Sequence, residues 1–244
     1  MKVTMVSFFK LYISIKMKVL ILCSGTGSLD RAFAEDGWQV TSVDIDPKSN
    51  ATYTADICDW QPPAGETWDC IWASPPCTEF SRALTTRPRR LEEGLRIALR
   101  CLDLIIQLRP TVWFLENPGT GLLPKQRHFE ALPCDYVTYC KYGYPYKKLT
   151  WIANNCSTWH PRIVCCNAYP CTAMLNGRHP NCAQRGPTRG KDGLYGSACS
   201  QAQLYSLPPV LCHEIAQAAG RHLRHILHPE DMHIQDHETK DLAL

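Results

Sequence analysis

A rigid turn that ends in a thiol is the most reactive feature of this sequence. Ser74-Pro75-Pro76-Cys77 follows an apolar run, Trp68 to Ala73. Two consecutive prolines fix the backbone and forbid a helix at that point. The next side chain is therefore held in a set direction, and it is a thiol, a strong nucleophile once ionised. A second apolar run, Thr111 to Leu115, ends at Glu116-Asn117-Pro118. A carboxyl group there can face the thiol across a pocket. Partial loss of water would raise its pKa and let it donate a proton near neutral pH. The plainer alternatives are a buried structural cysteine after a proline turn and a surface glutamate beside a bend.

Two further features sit at the ends of apolar runs. Ser24-Gly25-Thr26-Gly27-Ser28 leaves the run Lys18 to Cys23 and enters helical spacing over Leu29 to Asp36. Glycines in such a turn let the backbone approach a ligand, although a lone Gly-x-Gly also serves as a tight strand-to-helix turn. No third glycine stands at the dinucleotide spacing, and no lysine follows in the phosphate-loop manner. Asp44 ends the run Trp38 to Val43, where an acid in a parallel sheet accepts hydrogen bonds from ribose hydroxyls. Asp56 precedes Ile57 at the close of a short third segment. There, binding an adenine amino group competes with the commoner capping role.

The elements that must hold these residues follow from the patterning. The short continuous apolar runs are those of strands buried on both faces. Arg90 to Leu108 repeats apolar residues at helical spacing and stops at Pro110. Thr150 to Ala153 reads as a further strand, and Pro209 to Leu227 as a further helix. Strand and helix thus alternate from Lys18 to about Leu149, which predicts an α/β fold with a mostly parallel sheet and helices on both faces. Ligands in such sheets bind at the carboxyl ends of the strands. Gly25, Asp44, Asp56, Cys77 and Glu116 all follow predicted strand ends.

Taken in order, Gly25-Thr26-Gly27, Asp44, Asp56, the run Ser74 to Ser81 (SPPCTEFS) and Glu116-Asn117-Pro118 resemble the motifs of DNA cytosine-5 methyltransferases. The chain looks most like the short phage-type members of that family. The resemblance covers roughly Met17 to Ile152 and Ser200 to Leu223, and Leu207-Pro208-Pro209 is similar to the family's final motif, which returns to complete the cofactor pocket. It implies a Rossmann-like S-adenosylmethionine-dependent methyltransferase fold. It implies a cofactor pocket built from Ser24, Gly25, Thr26, Gly27, Ser28, Leu29, Asp44, Ile45, Asp56, Ile57, Ser74 and Pro75. In the family the Pro-Pro-Cys loop supplies the nucleophile, here Cys77, and the Glu of the Glu-Asn pair, here Glu116, contacts the base. DNA is then the partner, with Ser81, Arg82, Lys148 and Arg185 as its contacts.

The chain departs from the family in two places. The family's Gln-x-Arg-x-Arg segment corresponds here to Tyr146-Lys147-Lys148-Leu149-Thr150. Lys148 can replace one arginine in the catalytic site as a point charge without the bidentate fork, and Thr150 replaces the other. The large target-recognition lobe is also absent, leaving 154–199 for that role. In this stretch apolar periodicity gives way to Pro, Gly, Asn, Arg and Cys. A long irregular stretch of this kind needs a function or an internal staple. Cys165, Cys171, His179 and Cys182, with Cys166 as an alternate, can form a tetrahedral zinc site; free thiols in a loop are the alternative.

The bulk composition fits this reading. The chain has 244 residues, of which 45% are hydrophobic and 20% charged, ordinary for a globular protein. Its formal net charge of +3 permits a polyanionic partner without requiring one. The 14 cysteines are scattered rather than arranged as a disulfide framework, which points to a reducing compartment. The expected location is the cytoplasm of a bacterial or phage-infected cell, or a eukaryotic nucleus, and not the secretory route. The short apolar run Val6 to Ile15 is interrupted by Lys10 and is too short to span a bilayer. The predicted layout is an N-terminal extension over 1–16, a catalytic domain over 17–153 and 200–227, the Cys-rich insert over 154–199 and a loose tail over 228–244, in a monomer. The competing functions are cytosine-5 methylation of RNA and a catalytically weak nucleic-acid-binding relative.

Overall fold

The computed structural model describes residues 16–182, 186–187 and 204–227. Seven strands form one sheet: β1 (Lys18–Leu22), β2 (Gln39–Asp44), β3 (Tyr53–Thr54), β4 (Cys70–Ala73), β5 (Val112–Pro118), β6 (Cys134–Thr138) and β7 (Leu149–Asn154). Their order across the sheet is β3-β2-β1-β4-β5-β7-β6. Neighbours from β3 to β5 are parallel. β7 alone is reversed, antiparallel to both β5 and β6. A second, small hairpin pairs β8 (Asn181–Cys182) with β9 (Gly186–Pro187).

The alternation of side chains along each strand divides the core into two layers. Val19, Ile21, Cys70, Trp72, Val112 and Phe114 point to one face. There they meet Leu29 and Phe33 of α1 (Ser28–Glu35) and Leu211, Ile215 and Ala219 of α3 (Pro209–Leu227). Leu20, Leu22, Ile71, Ala73 and Leu115 point to the other face, against Ala98, Cys101, Leu104 and Ile105 of α2 (Leu91–Leu108). Val19, Leu20 and Leu22 of the central strand are 0% exposed. Burying each such side chain contributes roughly 1.5–3 kcal/mol, which is why Val19 to Leu22 contains no polar residue.

The mostly parallel sheet with helices on both faces agrees with the sequence, with two differences. Among the described residues α-helices follow only β1 and β4 before Leu149; elsewhere short 3-10 turns make the connections. β6 carries no apolar run, because it is the edge strand. Cys134 and Tyr136 are exposed and only Val137 and Thr138 are buried. An edge strand with one wet face gives too short a signal to read in isolation.

The first residues of the Cys-rich stretch pack into the main core rather than outside it. Cys156 and Trp159 are buried against the α3 face of the sheet. The Thr158 hydroxyl donates to the Ala218 carbonyl at 2.7 Å, and the Ser157 amide donates to His222 Nδ1 at 3.1 Å. Arg162 pairs with Glu214 of α3 at 3.3 Å and lies over the Tyr142 ring. No described helix is long and apolar enough to cross a membrane. The expected N-terminal extension (except Lys16) and the tail from His228 lie outside the described residues.

Candidate active site

The carboxyl ends of β1, β2, β4 and β5 surround a cavity of about 690 Å³. This lies within the range of roughly 300–1,000 Å³ typical of small-molecule sites.

The floor is the turn after β1. Gly25 and Gly27 both take positive φ, at 58° and 65°, a conformation that a side chain disfavours. Gly27 then starts α1. The turn is braced from three directions. The Gly25 amide donates to Asp44 Oδ2 at 2.7 Å, the Ser24 hydroxyl donates to Asp30 at 2.7 Å, and Arg31 donates to the Thr26 carbonyl at 2.9 Å. Asp44 also receives the Asp46 amide at 2.8 Å through Oδ1. Its carboxylate thus joins the ends of β1 and β2 at the cavity wall.

The turn after β4 carries the thiol. The Ser74 amide extends the ladder to the Leu22 carbonyl, and the Trp72 indole N–H donates to the Ser74 hydroxyl at 2.6 Å. The prolines follow, and Cys77 begins a 3-10 turn, Thr78–Phe80. This loop is clamped at both ends. Asn117 Nδ2 donates to the Pro75 carbonyl at 2.9 Å from within the buried end of β5. The Leu122 amide donates to the Phe80 carbonyl at 3.0 Å. On its outer side the loop is held by Glu79, which is 8% exposed and forms an ion pair with Arg87. Glu79 also accepts the Arg90 amide at 2.7 Å. The Arg87 guanidinium, aided by that amide, holds the Glu79 carboxyl down to about 2.

Cys77 and Glu116 line the same cavity, together with Lys148. Glu116 is buried, and burial pushes its carboxyl above the usual range, while Lys148 and the Tyr139 and Ser74 hydroxyls pull it down. Burial and the nearby Glu116 charge push the Cys77 thiol up, and Lys148 opposes them. The Lys148 ammonium lies 4.7 Å from the centre of the Tyr139 ring and donates to the Leu204 carbonyl at 3.3 Å. A buried carboxyl that raises the neighbouring thiol when charged, beside one cation, favours a state with a single negative charge. A proton on Glu116 permits a thiolate at Cys77.

The cavity gathers most, though not all, of the residues singled out from sequence. Ser24, Gly25, Thr26, Leu29, Asp44, Ser74 and Pro75 line it, and Ser81 and Arg82 stand in its wall beside Cys77. Leu207 lines it too, brought back by the segment before α3. Gly27 and Ser28 are buried and do not line it. The Ser28 hydroxyl is hydrogen-bonded to Thr26 at 2.8 Å. Asp56 is not in the wall. Its Oδ1 accepts the Cys58 amide at 2.9 Å, so it caps a turn, and its other oxygen faces Arg96. Ile57 is packed into the α2 side of the core and Ile45 is 67% exposed, both away from the wall. Arg185 and the side chain of Cys182 lie outside the described residues.

Several wall and support residues carry no local sequence signal. Tyr139, Lys147, Leu204 and Tyr205 line the cavity. Tyr139 begins the turn after β6, and the Tyr144 hydroxyl hydrogen-bonds the Ser206 hydroxyl and the Leu207 carbonyl at 2.6 and 3.1 Å, pinning the closing segment. A separate group of Cys140, Cys165, Cys171 and His179 brings its four ligand atoms within 4.8 Å of one another.

The strand order with a single reversed strand, and a cavity at the carboxyl ends of the parallel strands, define a Rossmann-like fold. No protein-family profile matches the chain. It is 28% identical over 222 residues to a "Probable DNA (cytosine-5)-methyltransferase" of Frog virus 3 (isolate Goorha), covering 82% of this chain and 98% of that protein. Among solved structures, a mutant DNMT2 of Spodoptera frugiperda is 20% identical with a TM-score of 0.42. The Entamoeba histolytica methyltransferase EhMeth is 13% identical, also with a TM-score of 0.42. Each of these alignments covers 61% of this chain and 55% of the other, so the chain spans about half the length of those structures. Along most of its length the chain resembles the DNA (cytosine-5)-methyltransferase family.

Proposed function

We propose that this protein is an S-adenosylmethionine-dependent methyltransferase that methylates carbon 5 of cytosine in DNA. The observation that carries this reading is the convergence of Cys77 and Glu116 on one cavity with the glycine turn and Asp44. The donor set fits the cofactor. Asp44 offers a carboxylate at the end of β2 for ribose hydroxyls, Thr26 and Ser24 stand at the exposed turn, and Leu29 and Trp72 add apolar wall. When bound, the cofactor supplies a methyl group on a sulfonium.

The chain's own residues account for the rest of the chemistry. Carbon 5 of cytosine is not nucleophilic until a group adds at carbon 6. The Cys77 thiolate forms that bond, and the ring electrons move to carbon 5. Glu116 in its protonated form donates to ring nitrogen 3 and accepts from the exocyclic amine, neutralising the charge that develops on the ring. Carbon 5 takes the methyl group and loses its proton to a base. The electron pair of that C–H bond restores the ring double bond and expels the Cys77 thiolate. Covalent addition divides one difficult substitution into easier steps. A cytosine stacked in a duplex must be flipped out to reach this cavity. Arg82, exposed beside the thiol loop, and Lys148 both line the cavity and in this reading supply the charge that meets phosphate.

The test is trapping on oligonucleotides containing 5-fluorocytosine, where fluorine cannot leave as a proton does. With cofactor present, the wild-type chain forms a stable adduct on the DNA strand. Cys77→Ser forms none and still binds the cofactor. An adduct only on the RNA counterpart would transfer the reading to RNA; methyl transfer retained by Cys77→Ser would overturn it.

A further inference from the structure

Away from the active-site cavity, the fold assembles four soft ligands from distant parts of the chain. Cys140 lies in the 3-10 turn after β6, Tyr139–Tyr142, and is 4% exposed. Cys165 is 1% exposed, and its amide donates to the Thr138 hydroxyl at 2.9 Å, so the Cys-rich strip is laid along the end of β6. The Lys141 ammonium donates to the Pro170 carbonyl at 2.8 Å, bringing the next turn against the same edge. Cys171 follows directly. Reciprocal backbone bonds between Leu175 and Arg178, at 2.8 and 3.0 Å, then close a tight reversal. That reversal returns His179 to Cys171, with His179 Nε2 3.2 Å from the Cys171 sulfur and 3.8 Å from the Cys165 sulfur.

These separations are those of ligands around one metal. Zinc bonds of about 2.3 Å to sulfur and about 2.0–2.1 Å to nitrogen place tetrahedral ligand atoms roughly 3.5–3.8 Å apart. The four atoms here all lie within 4.8 Å of one another. Three thiolates and one imidazole form a soft set without a carboxylate, which suits zinc over magnesium or calcium. Four protein ligands leave no open position, the mark of a structural rather than a catalytic site.

We infer that Cys140, Cys165, Cys171 and His179 bind one structural zinc ion that staples the Cys-rich segment to the edge of the catalytic sheet. Cys140 takes the place that the local sequence pattern gives to Cys182. Among the segment's described residues only Cys156, Trp159 and Cys165 are buried apolar side chains, while Ile163, Tyr169 and Leu175 are exposed, and a metal is a standard substitute for a core in such a lobe. The staple has a second consequence. Cys140 is the covalent neighbour of Tyr139, which lines the active-site cavity and underlies Lys148. The metal therefore fixes the wall of the cavity as well as the strip.

The test is the metal content of the full-length chain, purified under reducing conditions and measured by mass spectrometry of the elements. The expected result is about one zinc per chain. Cys140→Ser, Cys171→Ser and His179→Ala should each lower that to roughly a tenth or less. Cys166→Ser, at an exposed position outside the group, should not change it. Cys182→Ser should also retain the metal; loss there with retention in Cys140→Ser would overturn the assignment of Cys140. Cobalt added to the metal-stripped wild-type chain should give the visible absorption of a tetrahedral thiolate site, a readout independent of how the variants fold. A wild-type chain with neither zinc nor that spectrum would overturn the inference, as would a non-reduced mass showing two of these thiols joined as a disulfide. None of these measurements depends on methyl transfer.

Discussion

The side-chain amide of Asn117 reaches from the buried end of β5 to the carbonyl of Pro75, 2.9 Å away. It joins the strand that carries Glu116 to the loop that carries Cys77. The two reactive groups are thus positioned by one hydrogen bond as well as by the sheet. Neither proline of the loop has an N–H, so this carbonyl is one of the few polar handles by which the turn can be held.

Replacing Asn117 with Ala should separate positioning from chemistry. The loss of a buried hydrogen bond that leaves a carbonyl unpaired costs about 1–3 kcal/mol. A misplacement of about 1 Å at a reacting atom can cost ~100-fold in rate. The expectation is a modest fall in Tm, cofactor affinity near that of wild type, and single-turnover methyl transfer down by about 10–100-fold. An unchanged rate would show that the prolines alone hold Cys77.

Glu116→Gln should trade activity for stability. Burial raises the folded-state pKa of Glu116, so the native state favours the protonated form. Below the ordinary carboxyl pKa both folded and unfolded forms are protonated, and there is no penalty. As pH rises through the folded-state pKa, the native protein must carry a buried charge that the unfolded chain leaves in water. The variant should therefore melt higher than wild type at pH 8, with the difference vanishing near pH 3. Methyl transfer should fall by about 10²-fold or more through loss of the proton donor. Thermal melts across pH, beside a transfer assay, check both halves.

Lys148→Met should move the pH profile in one direction. Lys148 lowers both the Cys77 thiol and the Glu116 carboxyl. Without its charge both rise. The alkaline-going limb of kcat/KM, which follows ionisation of Cys77 in the free enzyme, should shift to higher pH. Lys148→Arg should restore most of the position of that limb, because the charge is kept. A fall in rate with no shift would assign Lys148 to phosphate contact alone.

Glu79→Gln tests the outer clamp on the thiol loop. Arg87 and the Arg90 amide hold the Glu79 carboxyl down to about 2 from an ordinary 4.5. The stabilisation is present above the ordinary value and is lost as pH falls toward about 2. The variant should lose that part of the acid dependence in thermal melts between these values. At neutral pH the loop loses a charged partner, and transfer should fall while cofactor affinity stays near that of wild type. An unchanged acid dependence would place the Glu79–Arg87 pair among the exposed pairs that contribute little.

Which residues stand at strand ends is legible in the order of amino acids alone. Apolar runs fix β1, β2, β4 and β5, and the residues that follow them are covalent neighbours, so Gly25, Asp44, Cys77 and Glu116 fall on the carboxyl edge of the sheet once the strands are parallel. Helical spacing likewise sets α2, whose first residue, Leu91, is one beyond the predicted start. What those residues touch follows from how the chain packs. Asp56 follows a strand as the other acids do, yet it caps its own turn, because β3 is only two residues long and lies at the sheet edge. The reversal of β7, the arrival of Tyr139 and Lys148 at the cavity, and the meeting of Cys140 with Cys171 all depend on strand order and on contacts across tens of residues. Local periodicity records which face of an element is buried. It holds no record of which distant element covers that face, since burial free energy depends on area removed from water and not on the partner that removes it.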